Sequence, residues 1–130
     1  MINLAISMPG KFYLEAITKA LEKTGNFRIL TMDEKKDGRL IKEGMPFAAK
    51  PDVVLLGVSV LQGFTLEERQ SVIKKVRERA PNCKIVLFLD EVVSKEQTEG
   101  VKSLKQVRLI DGFLYASGTM EYLVATLESI

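Results

Sequence analysis

The sequence contains no histidine and only one cysteine, Cys83. Histidine is the most frequent general base and metal ligand in proteins, so its absence excludes most catalytic triads and zinc sites. A single cysteine excludes a disulfide within the chain and is typical of a protein in a reducing compartment. Nucleophilic catalysis of the usual kinds is therefore disfavoured, and we predict a protein that is not an enzyme and carries no cofactor.

Strong net charge and long apolar runs are also missing. The 130 residues carry a formal net charge of +2, which indicates neither a nucleic-acid partner for this segment nor a membrane partner. No apolar run approaches the roughly 20 residues that span a bilayer. The amino terminus MINLAISMPG has no basic leader and no signal-length apolar core, so we predict a cytoplasmic protein. The length predicts one domain over residues 1–130.

The most informative stretch that is present is PDVVLLGVSV, which begins at Pro51. Its consecutive apolar residues 53–56 predict a strand buried on both faces, as in the middle of a parallel sheet. Four further short apolar runs predict strands, namely INLAIS, FRILTM, CKIVLFL and GFLY.

Helical spacing of apolar residues follows these strands. Capping boxes at Thr65 with Glu68 and at Ser94 with Gln97 predict two helix starts. The predicted helices cover 11–24, 66–80, the segment after Ser94 and the segment after Thr119. Between the second strand and Pro51, residues 39–50 predict only a short or distorted helix, because a glycine and a proline interrupt the pattern.

Alternating strands and helices predict right-handed crossovers and a parallel sheet that is covered on both faces. The fold class is therefore α/β, a flavodoxin-like, doubly wound sheet of five strands in the order 2-1-3-4-5 within three α/β/α layers. In this fold, ligands bind outside the carboxyl ends of the first and third strands.

The residues at those strand ends lack side chains that bind a metal ion or a phosphate group. They are Met8 and Pro9 after the first strand, Gly57 in the third, Leu89 at the end of the fourth and Ala116 after the fifth. A magnesium ion requires carboxylate or carbonyl oxygens, and phosphate capture requires a lysine or a glycine-rich amide cradle. None of these side chains meets either requirement.

Over essentially its whole length, the chain resembles a bacterial response-regulator receiver domain of the CheY-like family. The resemblance is carried by PDVVLLGVSV, by a helix that ends in RERAP, by KIVLFL and by DGFLYASGTMEYLVATLESI. It is strongest to the receivers that are joined to helix-turn-helix transcription regulators.

The resemblance implies a site from which this sequence departs. In the family, an acidic pair after the first strand binds magnesium, and an aspartate in the third strand takes the phosphoryl group. A hydroxyl residue and a lysine end the fourth and fifth strands. The sequence has Met8 and Pro9, Gly57, Leu89 and Ala116 at these positions. The implied protein is a pseudo-receiver, which keeps the fold and signals through protein–protein contacts without phosphorylation.

The resemblance also implies a contact surface. Receivers commonly dimerise through the fourth helix, fifth strand and fifth helix, so we expect a protein partner or a second copy of the chain there, with the first helix as second candidate. The sequence ends at Ile130, in or just after the last helix, and we expect the native protein to continue, with a DNA-binding output domain as a candidate.

Several alternatives stay open at this point. A small-molecule sensor would use Met8, Pro9, Leu89 and Ala116 to line a pocket over Gly57. An enzyme or a displaced cation site would use Asp90 and Glu91, although such residues are more often part of a solvated loop.

Asp33 and Glu34 could likewise belong either to a cation site or to a solvated loop. Backbone amides at Ser117 and Thr119 suggest an anion site, although a plain helix cap explains the pattern as well. Cys83 is expected to be a small core residue.

Overall fold

Five parallel strands form the central sheet in a computed structural model that describes residues 1–31, 35–36, 39–40, 51–90 and 93–130. The order across the sheet is β2-β1-β5-β6-β7. The strands are β1 (Ile2–Ser7), β2 (Phe27–Thr31), β5 (Val53–Val58), β6 (Lys84–Leu89) and β7 (Gly112–Tyr115). Two short strands, β3 (Lys35–Lys36) and β4 (Arg39–Leu40), form a separate antiparallel pair. When only the main sheet is counted, the predicted order 2-1-3-4-5 is confirmed.

Helices cover both faces of this sheet. They are α1 (Lys11–Glu22), α2 (Leu66–Arg79), α3 (Lys95–Gln106) and α4 (Met120–Ser129). Because alternate strand residues point to opposite faces, Leu4 joins one apolar cluster with α1 and α4, and Ala5 joins another with α2 and α3. The three-layer α/β/α arrangement is therefore confirmed.

The central strand β5 is buried along its whole length. It pairs with β1 on one side and with β6 on the other, which places its backbone between two hydrogen-bonded neighbours. The continuous apolar run in the sequence predicts this position, since both faces of the strand contact apolar residues.

The first predicted capping box is present in full at the start of α2. The Thr65 hydroxyl accepts a hydrogen bond from the Glu68 N–H at 3.3 Å and donates one to the Glu68 carboxylate at 2.8 Å. That carboxylate also accepts from the Gly63 N–H at 2.8 Å. The hydrogen bond from the Thr65 side chain is the main cause that lowers the pKa of Glu68, followed by the bond from Gly63.

The second capping box is only half formed. The Gln97 N–H donates to the Ser94 hydroxyl at 3.1 Å, as predicted. The Gln97 side-chain carbonyl instead accepts from the Leu66 N–H at 2.9 Å, and Leu66 is the first residue of α2. The sequence motif missed this contact because it joins two helices that are far apart in the chain. The predicted cap at Thr119 is confirmed, since its hydroxyl accepts from the Tyr122 N–H at 3.1 Å.

The amino ends of β6 and β7 are held by the last turn of α2. The Arg77 guanidinium donates to the Asp111 carboxylate and to the Cys83 carbonyl, both at 2.9 Å. Asp111 also accepts from the Ile85 N–H at 2.8 Å. Burial alone would raise the pKa of Asp111, but the hydrogen bonds from Ile85 and Arg77 outweigh burial and lower it.

Several predicted features lie partly or wholly outside the described residues, whereas Cys83 lies inside them. Of the distorted helix predicted over 39–50, Arg39 and Leu40 form β4 instead, and the remainder lies outside the described residues, as do Asp33, Glu34 and Glu91. Cys83 is 3% exposed beside the α2–α3 cluster, where burial raises its pKa to about 11, in agreement with a core role.

None of the helices in the described part of the chain has the length and apolar character needed to cross a bilayer.

Candidate site at the carboxyl edge of the sheet

The space beside Gly57 is filled by the loop that follows β1. A Cβ atom at this position would lie 2.5 Å from Pro9 Cδ and 3.2 Å from Met8 Sδ. Met8 itself is 3% exposed and packs in the cluster with α1 and α4. Gly57 is therefore required by close packing, because no side chain fits between the strand and Pro9. We call this region, Ser7–Pro9 with Gly57 and Arg69, the filled half of the edge.

Arg69 lies in the first turns of α2 and contributes its side chain to the filled half. Its side chain is 2% exposed, and it crosses to the carboxyl ends of the two central strands. Its Nε donates to the Gly57 carbonyl at 2.8 Å, and one Nη donates to the Ser7 hydroxyl at 2.8 Å and to the Ser7 carbonyl at 3.2 Å. The guanidinium lies 4.6 Å from the centre of the Phe64 ring. These contacts join α2 directly to β1 and β5.

A buried guanidinium is costly unless its N–H groups have partners. The planar fork of arginine donates in several fixed directions at once, so one side chain reaches both strands. The Phe64 ring adds a favourable contact with the cation. The charge is held in place by the carbonyl groups of Ser7 and Gly57 and by the Ser7 hydroxyl.

A divalent cation does not fit the filled half. Met8 and Pro9 supply no carboxylate, Gly57 supplies no side chain, and Arg69 already places a positive charge against the carbonyls of Ser7 and Gly57. Among residues 1–31, 51–90 and 93–130, no three acidic or cysteine side chains lie close enough together to hold a metal.

The other side of the edge, above β6 and β7, contains a cavity of about 440 Å³. We call it the open half. The described residues that line it are Leu89, Asp90, Val93, Thr98, Tyr115, Ala116 and Ser117. The Ala116 N–H donates to the Leu89 carbonyl at 2.8 Å, so these two predicted site residues are neighbours at adjacent strand ends.

The structure thus separates the predicted site residues into two groups. Met8, Pro9 and Gly57 pack against one another, so the pocket expected directly over Gly57 is not formed where Pro9 lies. Leu89 and Ala116 line the open half instead, together with Asp90 and Ser117. Thr119 is the N-cap of α4 and is not among the described lining residues.

Arg69 is the residue at this edge of the sheet that the sequence did not predict. It belongs to the face of α2 that also carries Leu66, Ile73 and Val76, all of them buried. A charged residue at the spacing of an apolar face is a visible signal, since such a residue must find buried partners. The partners themselves are not visible in the sequence, because Ser7 and Gly57 come from distant segments.

No protein-family model matches the chain, and no curated protein matches it by sequence. Solved structures do match it. An adenylate cyclase from Rhodopirellula baltica superposes with a TM-score of 0.72 at 13% identity, over 98% of this chain and 84% of that one. The HemR receiver domain from Leptospira biflexa gives 0.62 at 11% identity, over 99% and 93% of the two chains.

NtrX from Brucella abortus, a longer protein, matches 99% of this chain with 26% of its own, with a TM-score of 0.68 at 10% identity. At these identities the likeness concerns the fold, and the chain has the fold of response-regulator receiver domains.

Proposed function

We propose that the protein is a pseudo-receiver, a signalling domain that keeps the receiver fold and works without accepting a phosphoryl group. The observation that carries this proposal is the packing of Pro9 against Gly57, which fills the space that a phosphorylatable side chain would need. The guanidinium of Arg69 supports it further, because the chain itself places a positive charge between the two central strand ends. The domain regulates by protein–protein contact and catalyses no reaction.

The direct test is exposure of the protein to magnesium with acetyl phosphate, and separately with beryllofluoride, while amide NMR shifts are followed. We expect no saturable change at Ser7, Gly57 or Ser59 and no mass increase of one phosphoryl group. Saturable shifts at these amides, or a phosphorylated species by mass spectrometry, would contradict the proposal. An authentic receiver domain treated in parallel confirms that the reagents are active.

The proposed contact surface is made of α3, β7 and α4, which are the fourth helix, fifth strand and fifth helix of the sequence prediction. Tyr115 on β7 is 47% exposed and Tyr122 on α4 is 59% exposed, so the surface offers two aromatic side chains. Aromatic residues are enriched at protein interfaces. The second candidate surface is α1, where Phe12 is 79% exposed. An attached DNA-binding output domain would be the natural recipient of the signal.

Light scattering tests self-association through this surface. A dimer that becomes monomeric in Tyr122→Glu and stays dimeric in Phe12→Glu supports contact through α4, whereas the reverse pattern supports α1. A chain that remains monomeric at high micromolar concentration would exclude self-association as the means of signalling and leave a different protein as the partner.

The cavity of the open half supports a second candidate function, a sensor of a small molecule. Its volume of about 440 Å³ lies within the range of small-molecule sites, about 300–1,000 Å³. Apolar walls combined with a few polar groups are also typical of such sites.

A further inference from the structure

The cavity of the open half has one charged side chain among its described lining residues, and that side chain is the Asp90 carboxylate. The main chain of Asp90 is fixed, because its N–H donates to the Val58 carbonyl at 2.9 Å and its carbonyl accepts from the Val93 N–H at 3.2 Å. Within the described residues, the carboxylate itself accepts no hydrogen bond and forms no ion pair. A fixed backbone and a carboxylate without a partner among the described residues leave that group available to a ligand.

The remaining described walls divide into apolar and hydroxyl-bearing parts. Leu89, Val93 and Ala116 are apolar, whereas Thr98, Tyr115 and Ser117 each carry a hydroxyl. The Thr98 hydroxyl donates to the Ser94 carbonyl at 3.2 Å, so its oxygen can still accept a hydrogen bond. One negative charge, several hydroxyl acceptors and an apolar wall together suit a small organic cation.

An anion suits the same cavity poorly. The Asp90 carboxylate would repel an anion. Removing an anion from water and placing it beside an apolar wall would also cost free energy. The amide cradle expected from the sequence is also partly used, because the Gly118 N–H donates to the Tyr115 carbonyl at 3.0 Å. The Thr119 hydroxyl accepts from the Tyr122 N–H. Two of the groups that could bind an anion, the Gly118 N–H and the Thr119 hydroxyl, are therefore already engaged.

We infer that the open half is a binding site for a small organic amine, whose ammonium group pairs with Asp90 while its apolar part contacts Val93 and Ala116, which are partly exposed. This inference rests on the sensor function proposed above and supplies its ligand class. The Ser117 and Tyr115 hydroxyls accept further hydrogen bonds from the ammonium group or from a polar substituent of the ligand.

The test uses three probes with the same apolar tail, namely butylamine, 1-butanol and butyrate, each titrated into the protein at constant pH and ionic strength. Amide NMR shifts at Asp90, Val93 and Ser117 report binding. We expect saturable shifts with butylamine, weaker shifts with 1-butanol and none with butyrate. Asp90→Asn should weaken butylamine binding about fivefold or more, since it removes the charge of the pair.

Two variants make the result specific. Glu67→Gln removes one exposed carboxylate from α2 outside the cavity, so it should leave butylamine binding unchanged and control for net charge. Ser117→Phe adds bulk at an exposed lining residue and should abolish binding without disturbing the core. Equal binding of all three probes, preference for butyrate, or unchanged binding in Asp90→Asn would overturn the amine assignment.

If no probe changes the amide NMR shifts, the amine assignment is overturned and the result counts against the sensor function. Neither result affects the pseudo-receiver proposal, because that proposal is tested separately at the Gly57 amide with beryllofluoride.

Discussion

The filled half and the open half lie side by side at one edge of one sheet, yet they are built in opposite ways. In the filled half, the chain supplies its own cation, Arg69, and its own cap, Pro9, so no space is left beside Gly57. In the open half, Leu89 and Ala116 at the two strand ends border a cavity of about 440 Å³. The difference shows that a strand end without reactive side chains can either be packed shut or border a cavity.

The largest expected effect on the free energy of unfolding comes from removing the buried guanidinium of the filled half. Arg69→Met deletes the hydrogen bonds to Ser7 and Gly57 and leaves their buried oxygens without these donors, so it should lower the free energy of unfolding by about 3–4 kcal/mol. Urea denaturation measures this change. Lys75→Met, at an exposed position of the same helix, should cost less than about 0.5 kcal/mol. A loss below about 1 kcal/mol for Arg69→Met would show that Arg69 is not a main support of the filled half.

Next in size is the effect of adding one carbon to the filled half. Gly57→Ala places a Cβ 2.5 Å from Pro9 Cδ and should cost about 2 kcal/mol. Pro9→Ala removes that Cδ, so the double variant should recover about 1–2 kcal/mol relative to the sum of the single changes. Denaturation of all four proteins completes the cycle, and strict additivity would contradict direct contact between the two residues.

A smaller effect is expected at the opposite end of the open-half strands, where Arg77 and Asp111 hold β6 and β7. Asp111→Asn should cost about 1–2 kcal/mol at neutral pH. Because the pKa of Asp111 is lowered in the folded state, its contribution is present above the unfolded pKa of about 3.9 and is lost as the pH falls through the folded pKa.

Denaturation at a series of pH values should therefore show the wild type and Asp111→Asn converging below about pH 4. A stability difference that stays constant from pH 7 to pH 3 would indicate that the carboxylate charge contributes nothing.

The smallest effect is expected from filling the open half. Ser117→Phe adds a ring at an exposed cavity position and should change the free energy of unfolding by less than about 0.5 kcal/mol. Its contrast with Gly57→Ala is informative, since the larger addition has the smaller cost. A loss as large as that of Gly57→Ala would show that the open half is packed as tightly as the filled half.

The fold was predictable because its determinants are local. The apolar run of β5 and the capping box at Thr65 each depend on neighbouring residues. The Gln97 contact with Leu66 and the reach of Arg69 to Ser7 were not predictable, since each joins segments that approach only after folding.

The site was predictable in part for the same reason. The strand-end residues could be named from the sequence, because parallel strands end at one edge. Which of those positions are packed and which surround a cavity depends on the path of the loop at Met8 and Pro9, and the sequence pattern does not determine that path.

The contact between Pro9 and Gly57 also has a consequence for how this chain can evolve. A single codon change that placed an aspartate at position 57 would introduce the clash with Pro9 before it introduced any useful chemistry. A change at Pro9 alone would loosen the loop with no carboxylate to benefit from the space. A larger side chain at position 57 therefore becomes tolerable only together with a change at Pro9, so we expect the two positions to change as a pair.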